Sequence, residues 1–128
     1  MSDPLIYLAS PYSHADPSVQ QLRFEHVCTI AAELMRKGHL IFSPIAHTHP
    51  IAVHGGLQRG WDFWQRYDQK LLDCCDELWV LCVAGCKESI GVQAEIAVAN
   101  ALHKQIRYVQ VDADTGTLVG VSPAVGGA

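Results

Sequence analysis

A short apolar run followed by a long helical pattern constrains the fold of this chain more than any other feature. Residues 5–9 read LIYLA, a continuous apolar and β-prone run that is typical of a parallel strand buried on both faces. Asp16 and Pro17 then have the residue types of an N-cap and a first helical position. Apolar residues recur at helical spacing from there to Gly38, a typical helix terminator. This strand–helix unit indicates an α/β fold.

The same alternation continues along the chain. We predict further strands at 40–42, 78–83, 106–111 and 117–121, helices over 61–75 and 90–103, and a long loop over 43–60. The predicted fold is a single domain over residues 1–128, a three-layer α/β sandwich around a doubly wound parallel sheet of four or five strands, Rossmann-like or flavodoxin-like. Residues 122–128 are expected to form a flexible tail. Ligands of such sheets bind at the carboxyl ends of the strands, where three segments are expected to meet: residues 10–13, 43–54 and 83–89.

Composition excludes several classes of partner. The chain has 128 residues and a formal net charge of −4, and no run of Lys or Arg indicates a nucleic-acid partner. Residues 5–9 are too short for a secretory or membrane-spanning segment, so no membrane partner is expected. The five cysteines are irregularly spaced, which favours reduced thiols over a disulfide framework. We therefore expect a cytoplasmic protein whose ligand is a small molecule.

Residues 89–95, SIGVQAE, open a helix after a predicted strand. The first N–H groups of that helix have no intrahelical acceptor, and Gly91 permits a ligand to approach closely. Glu95 lies just over one turn into the helix among apolar neighbours. A glutamate there can serve the helix dipole alone, and the residues by themselves favour that simpler interpretation. Because the helix is otherwise uncharged, Glu95 is also a candidate functional carboxylate.

Asp68, in the helix predicted over residues 61–75, is the second candidate carboxylate. Its alternative role is that of a solvated helix residue, and Asp76 is explained as a turn residue. Two carboxylates that converge on one pocket would suit nucleophilic and acid–base chemistry at an anomeric carbon. Tyr7 lies in the middle of the first strand, and its buried hydroxyl needs a partner such as a carboxylate.

Three histidines in the predicted loop, His47, His49 and His54, raise the alternative of a metal site. Their spacing matches no standard metal motif, and Cys82 and Cys86 lack two further ligands at a zinc spacing. We favour histidines that contact a base or solvent. We expect no metal and no cofactor.

Four segments together resemble the nucleoside deoxyribosyltransferase-like superfamily, including the deoxynucleoside 5′-phosphate N-hydrolases and a group of short bacterial and phage relatives. They occur in the superfamily's order and span most of the chain: residues 6–12 (IYLASPY), 43–47 (SPIAH), 67–81 (YDQKLLDCCDELWVL) and 89–97 (SIGVQAEIA). The resemblance implies three catalytic roles. Glu95 is the nucleophile, Asp68 helps to bind the sugar or to handle the base proton, and Tyr7 orients Glu95.

The resemblance also implies a substrate-binding set: Ser10, Tyr12, Ser13, Pro44, His47, Ser89 and Gly91. The residue six before the nucleophile is Asp in the transferases and Ser in the monophosphate hydrolases, and this chain has Ser89. A serine hydroxyl at a helix start can hold a phosphate, which a carboxylate would repel. Ser10 matches the first-loop serine of the hydrolases. Tyr12 stands where they place an arginine, so Arg23 on the first helix is the alternative cation.

The function that the resemblance implies is hydrolysis or transfer of the N-glycosidic bond of a nucleoside 5′-monophosphate or nucleoside. The reaction passes through a covalent glycosyl-enzyme on Glu95. Relatives complete their site with a neighbouring subunit, so a homodimer or a higher even homo-oligomer is expected. Two other functions stay open: a nucleotide-binding sensor without catalysis, and a metal-dependent hydrolase built on His47, His49 and His54.

Overall fold

Strands and helices alternate along the chain in a computed structural model that describes residues 3–58 and 60–126. The elements are β1 (Leu5–Ala9), α1 (Pro17–Arg36), β2 (Leu40–Phe42), α2 (Pro44–Gly55), α3 (Trp61–Cys74), β3 (Glu77–Cys82), α4 (Ile90–Ala101), β4 (Gln105–Val111), β5 (Leu118–Val121) and β6 (Val125–Gly126). The predicted strands and helices agree with these bounds to within two residues. Asp16 caps α1 as predicted, since its side chain accepts a hydrogen bond from the Ser18 N–H.

The sheet has the strand order β2-β1-β3-β4-β5. β1 is parallel to β2 and β3, and β3 is parallel to β4. This order is that of a doubly wound, flavodoxin-like α/β sandwich, which confirms the predicted fold class, and the winding direction reverses between β1 and β3. β5 differs from the prediction of a parallel sheet because it is antiparallel to β4. The short turn between Asp112 and Thr117 can join only antiparallel neighbours.

The C-terminal segment adds a sixth strand that the sequence does not predict. Val125 and Gly126 pair with the start of β4, on the edge that β5 covers further along. Ser122 joins the two pairings, because its N–H donates to the Tyr108 carbonyl and its hydroxyl accepts from the Tyr108 N–H. The open edge of β4 offers backbone groups that this segment satisfies. Of the predicted flexible tail, Gly127 and Ala128 lie outside the described residues.

Two apolar cores lie on opposite faces of the sheet. Alternate residues of β1 point to opposite faces: Ile6 and Leu8 pack with α1, and Tyr7 packs with α3 and α4. α2 packs against α1 near the end of β1. The fold is therefore a three-layer sandwich in which Tyr7 faces the layer that carries α4. None of the described helices combines the length and the apolarity needed to cross a bilayer.

The prediction of a loop over residues 43–60 is wrong for residues 44–55, which form α2. The Ser43 hydroxyl caps this helix by accepting a hydrogen bond of 3.1 Å from the Ala46 N–H. Pro44 occupies the first helical position, where the missing N–H costs nothing. Pro50 lies inside the helix and forfeits one backbone hydrogen bond. The two prolines were therefore misleading loop signals, because one starts the helix and the other is tolerated within it.

The five cysteines, all of them within the described residues, are free thiols. Cys75 and Cys86 are buried in the core that packs α3 and α4 on the sheet, and burial raises the pKa of each thiol to about 11. Cys74 is exposed. The two core thiols therefore contribute as small apolar side chains rather than as nucleophiles.

Candidate active site

A cavity of about 530 Å³ opens at the carboxyl ends of β1 and β3, where the winding direction reverses. Residues 10–14 after β1, the first turn of α2, and residues 85–91 after β3 contribute to its wall. These are the three segments that the sequence placed at this edge. α3 closes another side with Trp61, Trp64 and Asp68.

Three polar side chains meet below this cavity. The carboxyl groups of Glu95 and Asp68 both line it, with exposures of 4% and 6%. Tyr7 is fully buried behind them, and its hydroxyl donates a hydrogen bond to Oε2 of Glu95. Asp68 is close enough for its charge to affect both Glu95 and Tyr7. The structure thus brings together the three residues to which the resemblance assigns catalysis.

Burial controls the ionisation of this group. Burial raises the pKa of Glu95 to about 8. The hydrogen bond from Tyr7 acts in the opposite direction and lowers this pKa, whereas the charge of Asp68 raises it further. Burial likewise raises the pKa of Asp68 to about 7. Burial and the nearby carboxylates raise the pKa of Tyr7, so its hydroxyl stays a donor. The charge of Asp68 couples the two carboxyl groups, and burial keeps the pair partly protonated near neutral pH.

Two buried polar atoms in the cavity wall have no partner among the described residues. They are the hydroxyl oxygen of Ser10 and Oδ1 of Asp68. Both side chains are more than nine-tenths buried and both line the cavity. Buried polar atoms nearly always have a hydrogen-bond partner, so these two favour a ligand with hydroxyl groups or other polar atoms.

The start of α4 forms one end of the cavity. Ser89 is its N-cap, and the Ser89 hydroxyl accepts a hydrogen bond of 3.2 Å from the Val92 N–H. The N–H groups of Ile90 and Gly91 precede the first intrahelical bonds and lie at the positive end of the helix dipole. Ser89 is thus a helix cap, as predicted, and its O–H remains able to donate to an anion.

Arg23 supplies a cation to the cavity wall beside Gly85. Its Nη1 donates a hydrogen bond of 2.9 Å to the Ser13 carbonyl, and its guanidinium lines the cavity. Gly85 makes room for it, because a Cβ at Gly85 would lie 2.6 Å from Nη2 of Arg23. Gly85 also has a φ of +88°, which favours glycine. Arg23, which the sequence analysis gave as the alternative to the arginine missing at Tyr12, therefore does reach the cavity. Asp62 and Glu88 also line this cavity.

Tyr12 is hydrogen-bonded to His49, one of the three histidines that raised the alternative of a metal site. The Tyr12 hydroxyl and Nδ1 of His49 are hydrogen-bonded, and Nε2 of His49 bonds Oε1 of Gln21 at 2.8 Å. The His49 ring also stacks on Phe24 with the ring centroids 4.4 Å apart. In the tautomer that carries its proton on Nε2, His49 donates to the amide oxygen of Gln21, and Nδ1 can accept from the Tyr12 hydroxyl. His49 therefore positions Tyr12 at the cavity.

The histidines of α2 do not converge on one point. His47 bonds the hydroxyl of Tyr67 at 3.0 Å on the outer side of α3, and it is not among the described residues that line the cavity. His49 faces α1 through Gln21, because residues two apart on a helix point in nearly opposite directions. Among residues 3–58 and 60–126, no cluster of three potential metal ligands occurs. His47 is thus the member of the expected substrate-binding set that the structure does not bring to the cavity.

The remaining members of that set do line the cavity: Ser10, Tyr12, Ser13, Pro44, Ser89 and Gly91. The sequence analysis missed Trp61, Trp64 and Gly85. A signal for Trp61 and Trp64 was present, because Trp61, Trp64 and Asp68 recur at the spacing of one helix face. Nothing in the local sequence indicated that Gly85 makes room for Arg23.

The comparison with protein families places this geometry in a family. Residues 4–111 match the family described as a domain of unknown function, DUF1937. The chain belongs to that family. The match to DUF1937 covers every element from β1 to β4 and therefore each residue of the cavity. No curated protein matches the chain.

Proposed function

We propose that this DUF1937 protein cleaves or exchanges the N-glycosidic bond of a nucleoside or nucleoside 5′-monophosphate, with Glu95 as its nucleophile. The observation that carries the proposal is the buried group of Glu95, Tyr7 and Asp68 at the floor of a cavity. Burying a carboxylate costs free energy and raises the pKa of the group. Carboxyl groups with raised pKa values in a cleft therefore mark candidate sites of acid–base or nucleophilic chemistry.

The proposed reaction starts from the form of the singly protonated pair in which Glu95 is ionised and Asp68 carries the proton. In this form an oxygen of Glu95 forms a bond to C1′ while the bond from C1′ to the base breaks. The electron pair of that bond passes to the base, which takes the proton of Asp68. Asp68, now a carboxylate, removes a proton from water or from a second base, which attacks C1′ and releases Glu95. The hydrogen bond from Tyr7 favours the ionised form of Glu95 in the first step.

Two further features belong to the proposal. The protein acts in the cytoplasm, as its irregularly spaced cysteines favour. It forms a homodimer or a higher even homo-oligomer, as the superfamily resemblance implies. A dimer partner would lie at the open side of the cavity, as in the relatives that complete their site with a neighbouring subunit.

The test is release of free base from a panel of purine and pyrimidine nucleosides and their 5′-monophosphates. We expect turnover of at least one member, unchanged after treatment with a chelator, because the proposed steps use only protein side chains. Binding without turnover across the panel would favour the sensor. Loss of turnover on chelation with recovery on adding zinc would favour the metal-dependent hydrolase.

The cavity also predicts that a 5′-monophosphate binds more tightly than the matching nucleoside. The start of α4, the Ser10 hydroxyl and Arg23 are three groups in the cavity wall that can bind an anion. One hydrogen bond to a charged group is worth about 1.5–3 kcal/mol, so Arg23→Gln should weaken monophosphate binding by roughly tenfold or more. Nucleoside binding by the same variant should change little.

Ser89 gives a second arm to this measurement. Ser89→Ala removes both the phosphate donor and a helix cap worth about 1 kcal/mol, whereas Ser89→Asp keeps the cap and adds a charge that repels phosphate. We therefore expect Ser89→Asp to weaken monophosphate binding more than Ser89→Ala does, although it is the better cap. Equal dissociation constants of nucleoside and monophosphate for the wild-type protein would contradict the anion site.

A further inference from the structure

Trp61 lies directly against the start of α4. A Cβ at Gly91 would be 3.3 Å from Cε3 of Trp61, which is tighter than most side-chain contacts. The six-membered part of the indole therefore rests on the α4 backbone, where a larger residue would push it away. Trp61 also lines the cavity and is only partly buried.

α3 and α4 present their cavity residues at two levels. Gly91 precedes Glu95 by one helical turn, a rise of about 6 Å, and Trp61 precedes Asp68 by two turns. Trp61 meets Gly91 at the outer level, and Asp68 affects Glu95 at the inner level. The cavity is therefore aromatic above the two carboxyl groups and polar around them.

Trp61 differs from the neighbouring aromatic residues because its ring contacts no other aromatic ring of the described residues. Trp64 packs against both Phe63 and Tyr67, and its Nε1 donates to the Gln58 carbonyl. In the described part of the chain, no aromatic ring pairs with Trp61 and no acceptor lies at its Nε1. Trp61 thus offers a partly open aromatic surface beside Gly91, which precedes Glu95 by one turn of α4.

We propose that Trp61 is the stacking platform for the base of the substrate and for the base that leaves. This inference rests on the proposed function and adds the subsite that holds the leaving group. A nucleobase is a planar aromatic ring, and stacking on tryptophan is the interaction that accepts purines and pyrimidines alike. The inner level, with Glu95 and Asp68, is left for the sugar.

Titration with free adenine, free cytosine and ribose 5-phosphate tests the platform. Each base should quench the tryptophan fluorescence of the wild-type protein and of Trp79→Phe, a control whose ring is buried on the α1 side of the sheet. Trp61→Phe keeps a stacking ring, so calorimetry should show base affinity within a few-fold while the quenching is lost. Trp61→Ala should bind both bases about tenfold more weakly or worse, with ribose 5-phosphate affinity unchanged.

Unchanged base affinity in Trp61→Ala would overturn the platform, and so would quenching in Trp61→Phe as large as in the wild type. A smaller quenching that remains in Trp61→Phe is assigned to Trp64, which also lines the cavity. If Trp61→Ala also loses ribose 5-phosphate, Trp61→Phe alone decides by its quenching. The result separates from that of the proposed function. Bases that stack on Trp61 in a protein without turnover would support the platform and remove the role of Glu95 as nucleophile. Turnover by a Trp61→Ala variant with unchanged KM and base affinity would do the reverse.

Discussion

Replacing Glu95 by glutamine is expected to abolish base release while the protein stays folded. Gln keeps an oxygen that can accept the hydrogen bond from Tyr7 but cannot form the bond to C1′. Losing a nucleophile costs on the order of a thousandfold or more in kcat. Glu95→Ala should lose as much activity and should in addition leave the buried Tyr7 hydroxyl without its acceptor, which costs about 1–3 kcal/mol of stability.

The measurement is single-turnover base release by both variants beside Glu33→Gln. Glu33 lies on α1 and is not among the described residues that line the cavity. The substitution Glu33→Gln makes the same change of carboxylate to amide. The control should keep wild-type activity. A Glu95→Gln variant that retains more than about a tenth of wild-type turnover would remove Glu95 from the role of nucleophile.

The second large effect is a loss of stability of the wild-type protein as the pH rises from 5 to 8. The pKa of Glu95 is raised from 4.5 in the unfolded chain to about 8, and that of Asp68 from 3.8 to about 7. In this window the folded state keeps protons that the unfolded chain has released, so the free energy of unfolding falls with pH. Each carboxyl contributes at most about 1.4 kcal/mol per pH unit.

Glu95→Gln removes one of these two contributions. We therefore expect this variant to be more stable than the wild-type protein at pH 8, by an amount that shrinks toward pH 5. Urea unfolding at three pH values and one protein concentration measures the difference, with Glu33→Gln as the control that follows the wild type. The lowered pKa values of Asp16 and Asp112 act only below this window. Parallel curves for wild type and Glu95→Gln would show that burial does not raise the pKa of Glu95.

Together the two predictions say that the ionised carboxyl groups needed for catalysis lower the free energy of unfolding. Buried carboxyl groups destabilise the folded protein at the pH at which they are needed as a base or a nucleophile. A cavity built only for structure would gain from an amide or an apolar residue at position 95. An inactive variant that is more stable than the wild type would therefore be the strongest single support for a catalytic site.

Local sequence rules were sufficient wherever one signal dominated a segment. The apolar run of β1 and the cap and period of α1 predicted both elements, and Ser89 predicted the start of α4. The same rules failed for α2, because Pro44 and Pro50 are compatible with a helix only through a first-turn position and a tolerated missing bond. They failed again for β6, whose strand exists because β4 has an open edge rather than because of its own residues.

The sequence by itself determined the α/β class, the order of the elements apart from α2 and β6, and the need of a buried Tyr7 hydroxyl for a partner. It named Glu95 and Asp68 only with the help of a family resemblance, since either residue alone is explained as well by a helix dipole or by solvent. Tertiary structure decided that Tyr7 and Glu95, 88 residues apart, are hydrogen-bonded. It also decided that the ring of Trp61 packs against Gly91 and that the guanidinium of Arg23 lies against Gly85. The physical reason is that parallel strands are joined by crossovers, so contacts across a switch point depend on strand order, which no local pattern encodes.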